Sequence, residues 1–223
     1  KCGIGSRRKC DEYISSGKIK VDGKKVTDFS FDVNDDSYVQ FNNKLVNKLE
    51  NVIYMLNKPR GYICTKNDNL GRKTIYDLLP DKLDLFSIGR LDYDTTGILL
   101  VTNDGDLCYK LTHPKFNVNK KYYVFTDKKL SNSDILSIKK GIKIDNEILK
   151  ANVKFLENIN NGYFWDVVLT EGKNREIKRI FNFFDIKVLN LHRYEFSGLR
   201  MNELKEGKFR KISKKDFNRI IRK

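Results

Sequence analysis

The sequence predicts an α+β protein. A small basic unit over residues 1–48 precedes a larger domain over residues 49–223, built on a mostly antiparallel sheet. Three observations predict it. Candidate strands follow one another more often than they alternate with helices, which disfavours a doubly wound parallel sheet. The 223 residues suit a small domain plus a medium one, and 39% hydrophobic residues are enough to build a core. Residues 42–51 are polar and rich in Asn and Lys, and read as a linker between the two.

The first unit starts with Ser6 placed to cap a helix whose apolar stripe is Cys10, Tyr13 and Ile14, with Gly17 as its stop. Lys18–Val21 alternates, Asp22-Gly23 turns the chain, and Lys24–Val26 returns as a hairpin. In the second unit Val52–Leu56 reads as a buried strand, ended by Pro59 and turned at Gly61. Thr74–Leu79 reads as a short helix stopped by Pro80. Gly89–Gly97 is a tight polar loop bracketed by glycines, followed by strand Ile98–Thr102, a turn at Asn103-Asp104-Gly105 and a helix to about Thr112.

Lys120–Thr126 is a strand, and Ser131 with Asp134 starts a helix that Gly141 ends. Ile142–Ile144, Val153–Leu156 and Tyr163–Leu169 are strands separated by Asp145-Asn146 and Asn160-Asn161-Gly162 turns. Ile177, Ile180, Phe181 and Phe184 follow helical spacing and predict an amphipathic helix over 174–184. Strands at Lys187–Leu191 and Phe209–Ile212 and a short basic tail complete the chain.

Charge narrows the partners. There are 44 Lys+Arg against 29 Asp+Glu, a net charge of +15, so nucleic acid is the first expectation and an anionic membrane surface the second. No apolar run is long enough to span a bilayer and no signal peptide is visible, which sets the membrane reading aside. Cys2, Cys10, Cys64 and Cys108 form no Cys-x-x-Cys pair, and only His113 and His192 would add ligands. No metal and no small-molecule cofactor are expected, and free thiols fit a reducing, cytoplasmic setting or an organelle of bacterial ancestry. The chain begins at Lys1 rather than Met, so further residues are expected upstream.

Gly89-Arg90-Leu91-Asp92-Tyr93-Asp94-Thr95-Thr96-Gly97 and the Ile98–Gly105 run after it carry the most information. A carboxylate on such a loop is held rigidly yet stays open to a ligand. This stretch resembles the signature of the RsuA/RluB-type ribosomal RNA pseudouridine synthases. The Gly-x-Ser-Arg-Arg-Lys helix and Gly-Lys-Ile-Lys-Val-Asp-Gly hairpin resemble the α-L RNA-binding domain, although the helix that usually begins that domain is lacking. The resemblance spans about residues 3–212. It implies a long, bent, mixed sheet with the catalytic Asp in its cleft, and isomerisation of uridine to pseudouridine in ribosomal RNA by a monomer. Lys58-Pro59-Arg60-Gly61, Leu111–Pro114 and the Asn67–Arg72 segment point toward large-subunit RNA near the peptidyl-transferase centre, with the small-subunit branch as the alternative.

By this resemblance Asp92 is the catalytic carboxylate, attacking the anomeric carbon or helping to open a glycal route. Asp94 is its rival, with a turn role as the plainer reading. Tyr122, in Lys120-x-Tyr122-x-Val124, stacks on the target base, while alternation turns Tyr123 to the opposite face. Glu171–Arg179 matches a family segment in which Ile177 lies beneath the base and Lys178 ion-pairs with the Asp. Lys in place of Arg implies looser pairing, because it lacks the planar fork. Glu176 in place of Gln weakens any hydrogen-bond role carried over to it. Arg90 fills the space a flipped base vacates or holds phosphates, against a plain salt bridge to Asp94. Lys173, Arg175 and Arg179 are expected to contact RNA. So are Arg7, Arg8 and Lys9, whose position at a helix N-terminus is unfavourable until phosphates relieve it. A non-catalytic RNA-binding assembly factor and a nucleoside or glycoside hydrolase are the alternatives from other classes. The trio Asp92, Tyr122 and Lys178 argues against the first; the second wants two acids at a set separation and would leave the RNA-binding unit superfluous.

Overall fold

The computed structural model describes residues 2–80 and 84–221. They form two compact units, one built on the chain up to Asn51 and one on the chain from Val52. The last two residues of the basic tail, 222 and 223, lie outside the described residues.

The first unit opens with α1 (Arg7–Ser15), capped by the Ser6 hydroxyl accepting from the Lys9 amide at 3.3 Å. Strands β1 (Ile19–Val21) and β2 (Lys24–Val26) pair across Asp22-Gly23. Both turn residues have positive φ, 49° and 79°, as a two-residue hairpin turn that matches strand twist requires. Strands β3 (Val39–Phe41) and β4 (Lys44–Leu45) complete a sheet of order β2-β1-β3-β4. Ile19, Val21 and Val26 are buried in it, with Tyr13, Ile14 and Phe41 packed on them. The linker reading of residues 42–51 is therefore corrected at its start. Asn42 and Asn43 take φ of 49° and 61° and turn β3 into β4. Asn tolerates this left-handed backbone, so a pair of them makes a hairpin turn rather than a tether.

The second unit runs β5 (Ile53–Lys58), β6 (Phe86–Ile88), β7 (Thr96–Thr102), α2 (Gly105–Thr112), β8 (Lys120–Thr126), α3 (Asn132–Lys140), β9 (Ile142–Ile144), β10 (Glu147–Leu149), β11 (Asn152–Ile159), β12 (Gly162–Leu169), α4 (Glu176–Asn182), β13 (Val188–Phe196), β14 (Leu199–Arg200), β15 (Phe209–Lys211) and α5 (Lys214–Ile221). The short helix expected at 74–79 is a 3₁₀ turn at Ile75–Leu78. Nine strands form one mixed sheet along β11-β12-β8-β13-β7-β5-β15, with β14 on β13 and β6 on β7. Strands β9 and β10 form a separate hairpin. Within the large sheet only β13 and β7 run parallel among the described pairs. The α+β expectation with a mostly antiparallel sheet is the observed architecture.

That parallel pair depends on Gly97. It lies opposite Arg193 with φ of 108°, and a Cβ there would collide with the Arg193 backbone carbonyl. A residue without a side chain lets the two backbones approach at the strand's entry from the Asp92 loop. Under the sheet, Met55, Ile98, Leu100 and Phe196 pack with Leu107 and Leu111 of α2 and Ile220 of α5. Trp165 is fully buried, and its indole N–H donates to the Thr126 hydroxyl at 2.9 Å.

Two elements differ from the sequence reading in ways that matter for the site. The strand expected at Lys187–Leu191 continues through His192-Arg193-Tyr194-Glu195 to Phe196. The helix expected over 174–184 is shorter, because Arg175 is left-handed at φ 49° and the first helical residue is Glu176.

Candidate active site

Asp92 sits on the loop between β6 and β7, and three contacts fix that loop. The Gly61 amide, in a left-handed turn after Pro59, donates to the Tyr93 carbonyl at 2.8 Å. The Lys58 ammonium is completely buried and donates to the carbonyls of Thr95 and Pro59, each at 2.9 Å. Leu91 is buried, and its amide meets the Cys64 sulfur at 3.5 Å. Burial lowers the Lys58 pKa and raises that of Cys64. The Lys-Pro-x-Gly turn thus braces the Asp92 loop from behind.

The loop opens onto a pocket whose walls include Arg90, Asp92, Tyr122, Ile177, Lys178 and Arg193. Strand β8 supplies Tyr122, and the first turn of α4 supplies Ile177 and Lys178. Tyr122 and Ile177 are buried, giving the pocket apolar sides. The Asp92 side chain is 34% exposed and that of Lys178 is 14% exposed. Lys178 Nζ lies 3.2 Å from Asp92 Oδ2 and 2.5 Å from Asp94 Oδ1. The three expected catalytic residues therefore meet in one pocket, with the lysine shared between two carboxylates. Burial raises the Asp94 pKa, but the hydrogen bond and charge of Lys178 outweigh it and hold that carboxyl below its usual range.

The residues expected to touch RNA are distributed differently. Arg90 is exposed at the pocket wall, and the salt bridge to Asp94 considered for it is not formed, since Asp94 pairs with Lys178. Arg175 is also exposed and lines the pocket. Lys173 lines it too, but its ammonium donates to the Ile148 carbonyl at 2.7 Å and pairs with Glu171 at 3.2 Å. Arg179 is turned away from the pocket. Its guanidinium pairs with Glu147 at 2.6 Å and Asp145 at 3.4 Å, pinning the β9–β10 hairpin to α4. Arg179 thus serves an ion pair outside the pocket, because a helix position one residue past Lys178 faces a different neighbour. Arg7, Arg8 and Lys9 are exposed on a first helical turn that holds no acidic residue. Among the described residues no group of three or more His, Cys, Asp or Glu is arranged to hold a metal ion, and no helix is long and apolar enough to cross a membrane.

A family model described as RNA pseudouridylate synthase matches residues 52–183, and the S4 domain model matches residues 2–37. The chain belongs to the RNA pseudouridylate synthase family. The synthase is 34% identical to the ribosomal large subunit pseudouridine synthase B of Bacillus subtilis, over 98% of this chain and 91% of that protein. It is 36% identical to an uncharacterized RNA pseudouridine synthase of Rickettsia felis, over 96% of this chain and 93% of that one. A crystal structure of a pseudouridylate synthase superposes with a TM-score of 0.72 at 27% identity, covering 99% of this chain and 96% of the other.

Three buried charges line the same pocket of this synthase, and the sequence assigned no site role to Lys120 or Arg193. Arg193 is 2% exposed, and Lys120 and Glu176 are buried as well. Burial, helped by the nearby Arg193 charge, pushes Lys120 down to about 8, while burial pushes Glu176 up against the hydrogen bond its carboxylate accepts from the Lys173 amide. One signal was available in the sequence. Arg193 shares strand parity with Leu191, a core-facing residue, and a charge at a core-facing position asks for a reason.

Proposed function

We propose that this synthase isomerises uridine in ribosomal RNA, in the large subunit near the peptidyl-transferase loop, working as a monomer in the compartment where ribosomes are assembled. Similarity along nearly the whole chain to the Bacillus subtilis large-subunit enzyme supports the choice of RNA. The exposed basic turn at Arg7, Arg8 and Lys9 supplies phosphate contacts.

One observation carries the assignment of roles: the Asp92 carboxylate, 3.2 Å from a lysine, faces a pocket walled by Tyr122 and Ile177. Lys178 pairs with Asp92 and orients its carboxylate. In the reaction the bond from the ribose anomeric carbon to uracil N1 breaks, and its electron pair leaves with the base. Asp92 attacks the anomeric carbon or balances its positive charge. The detached base turns between Tyr122 and Ile177. Its C5 then bonds to the anomeric carbon, with the Asp92 ester bond breaking where the carboxylate attacked; the C5 proton leaves and N1 regains one. Nothing is oxidised or reduced. Aromatic and aliphatic faces suit this because they hold a base without fixing its rotation. Arg90 and Arg175, exposed at the pocket wall, contact the RNA around the extruded nucleotide.

The test is to incubate purified protein with protein-free large- and small-subunit ribosomal RNA and map pseudouridine. New pseudouridine confined to large-subunit RNA is expected. Product in small-subunit RNA alone assigns the other branch, unchanged RNA fits a binding factor, and released uracil fits a hydrolase. RNA affinity is expected to fall by orders of magnitude between ~50 and ~200 mM salt, and a flat response would remove the electrostatic basis of binding.

A further inference from the structure

We propose that Arg193 is a catalytic residue of this site, donating from Nη2 to a ring oxygen of the uracil as the base detaches. This rests on the reaction assigned above. Arg193 lies beyond the residues 52–183 that the family model matches.

The guanidinium is held on its other edges. Its Nε donates to the Ile98 carbonyl at 2.7 Å, and Nη1 reaches the Tyr122 hydroxyl at 3.5 Å. Its centre lies 4.9 Å from the Phe196 ring and 6.0 Å from the Tyr122 ring. The remaining Nη2 is buried without a hydrogen-bond partner among the described residues, although the side chain lines the pocket. An arginine keeps its charge in a protein, and a buried donor without an acceptor is costly. Such a donor beside the ring assigned to stack the base calls for an acceptor supplied by the substrate.

The chemistry creates that acceptor. When the N1 bond breaks with its electron pair, the uracil carries a negative charge shared by N1 and the ring oxygens. A fixed, dehydrated cation is worth most where charge develops during the reaction. Uracil also carries that charge whether Asp92 acts as nucleophile or as electrostatic partner. Arg193 transfers no proton in this step. It supplies a hydrogen bond and a charge, and the proton leaving C5 goes to another base. The strand geometry gives the side chain its aim. Gly97 lets the backbone of β13 approach β7 at Arg193, which brings the Nε edge onto Ile98 and leaves Nη2 without a partner.

The test is a cycle of enzyme and substrate changes. A ribosomal RNA fragment carries uridine, 2-thiouridine or 4-thiouridine at the mapped position, and single-turnover conversion is followed by nucleoside chromatography. Sulfur is a weaker acceptor than oxygen. The wild-type protein is expected to slow at least tenfold on one of the two thio substrates. Arg193→Lys keeps the charge and can still reach Ile98, but loses the free arm of the fork. It is expected to slow at least a hundredfold on uridine and to lose the preference for oxygen over sulfur, with RNA affinity retained. Wild-type rates equal within threefold on all three substrates would overturn the proposal, even if no Arg193 variant folds. So would a variant that slows by one common factor on all three, the mark of a purely structural arginine. Wild-type protein that makes no pseudouridine from uridine would instead overturn the reaction assignment.

Discussion

Lys178 stands 3.2 Å from the Asp92 carboxylate, close enough to pair with it but not to belong to it alone. Asp94 takes the same ammonium at 2.5 Å, so the second carboxylate competes with Asp92 for one shared cation. Asp94→Asn removes the competitor and is expected to retain activity within about tenfold, whereas Lys178→Met is expected to lose roughly a hundredfold. Single-turnover tritium release from RNA labelled at uridine C5 measures both. A larger loss in Asp94→Asn than in Lys178→Met would exchange the roles of the two carboxylates.

Asp92→Asn keeps the shape of the side chain and removes its charge. Conversion is expected to fall by roughly 10³ or more, with the thermal melt and RNA affinity near wild type. A folded, RNA-bound variant releasing tritium at close to the normal rate would remove Asp92 from the chemistry.

Tyr122 gives a graded test of stacking. Tyr122→Phe keeps the aromatic face, so its loss of activity is expected to be several-fold smaller than that of Tyr122→Ala. Equal losses would place the function in the hydroxyl, which Arg193 approaches at 3.5 Å.

Gly97→Ala tests the parallel strand pair. The new methyl meets the Arg193 backbone, which cannot swing aside as a side chain would. Destabilisation of roughly 2–4 kcal/mol is expected in a denaturant titration, from overpacking and from the positive φ together. Gly198 also has positive φ but meets nothing within 4 Å, so Gly198→Ala carries the backbone strain without the collision and serves as the control.

Lys120 makes a prediction about pH. Its pKa of about 8 in the folded protein lies below the ordinary 10.5, because burial disfavours the charged form. Between those values the unfolded chain binds a proton that the folded chain does not, so stability rises with pH across that window. Lys120→Met removes the effect. From about pH 7.5 to about 9.5 the wild type is expected to gain roughly 1–2 kcal/mol relative to the variant. The raised pKa of Cys64 acts with the opposite sign in both proteins and cancels in the comparison.

Local physics was legible in the sequence wherever it was strong. Ser6 and Ser131 cap their helices, and Lys120–Thr126 is a strand with the bounds its aromatic and β-branched run implies. Motifs mark Asp92, Tyr122 and Lys178 in the sequence without showing that they meet. Tertiary contact decided the rest. Which carboxylate Lys178 prefers depends on where α4 docks against a loop 84 residues earlier in the chain. Arg179 neighbours Lys178 in sequence and ends on the β9–β10 hairpin instead of the pocket. Arg193 reads in sequence as one more charge in a basic protein. Only the approach of β13 to β7 at Gly97 buries it beside Tyr122 with one arm free. Propensity and capping act over a few residues and leave their mark on neighbouring letters. Desolvation and ion pairing depend on distances between remote segments, which exist only once the sheet has formed.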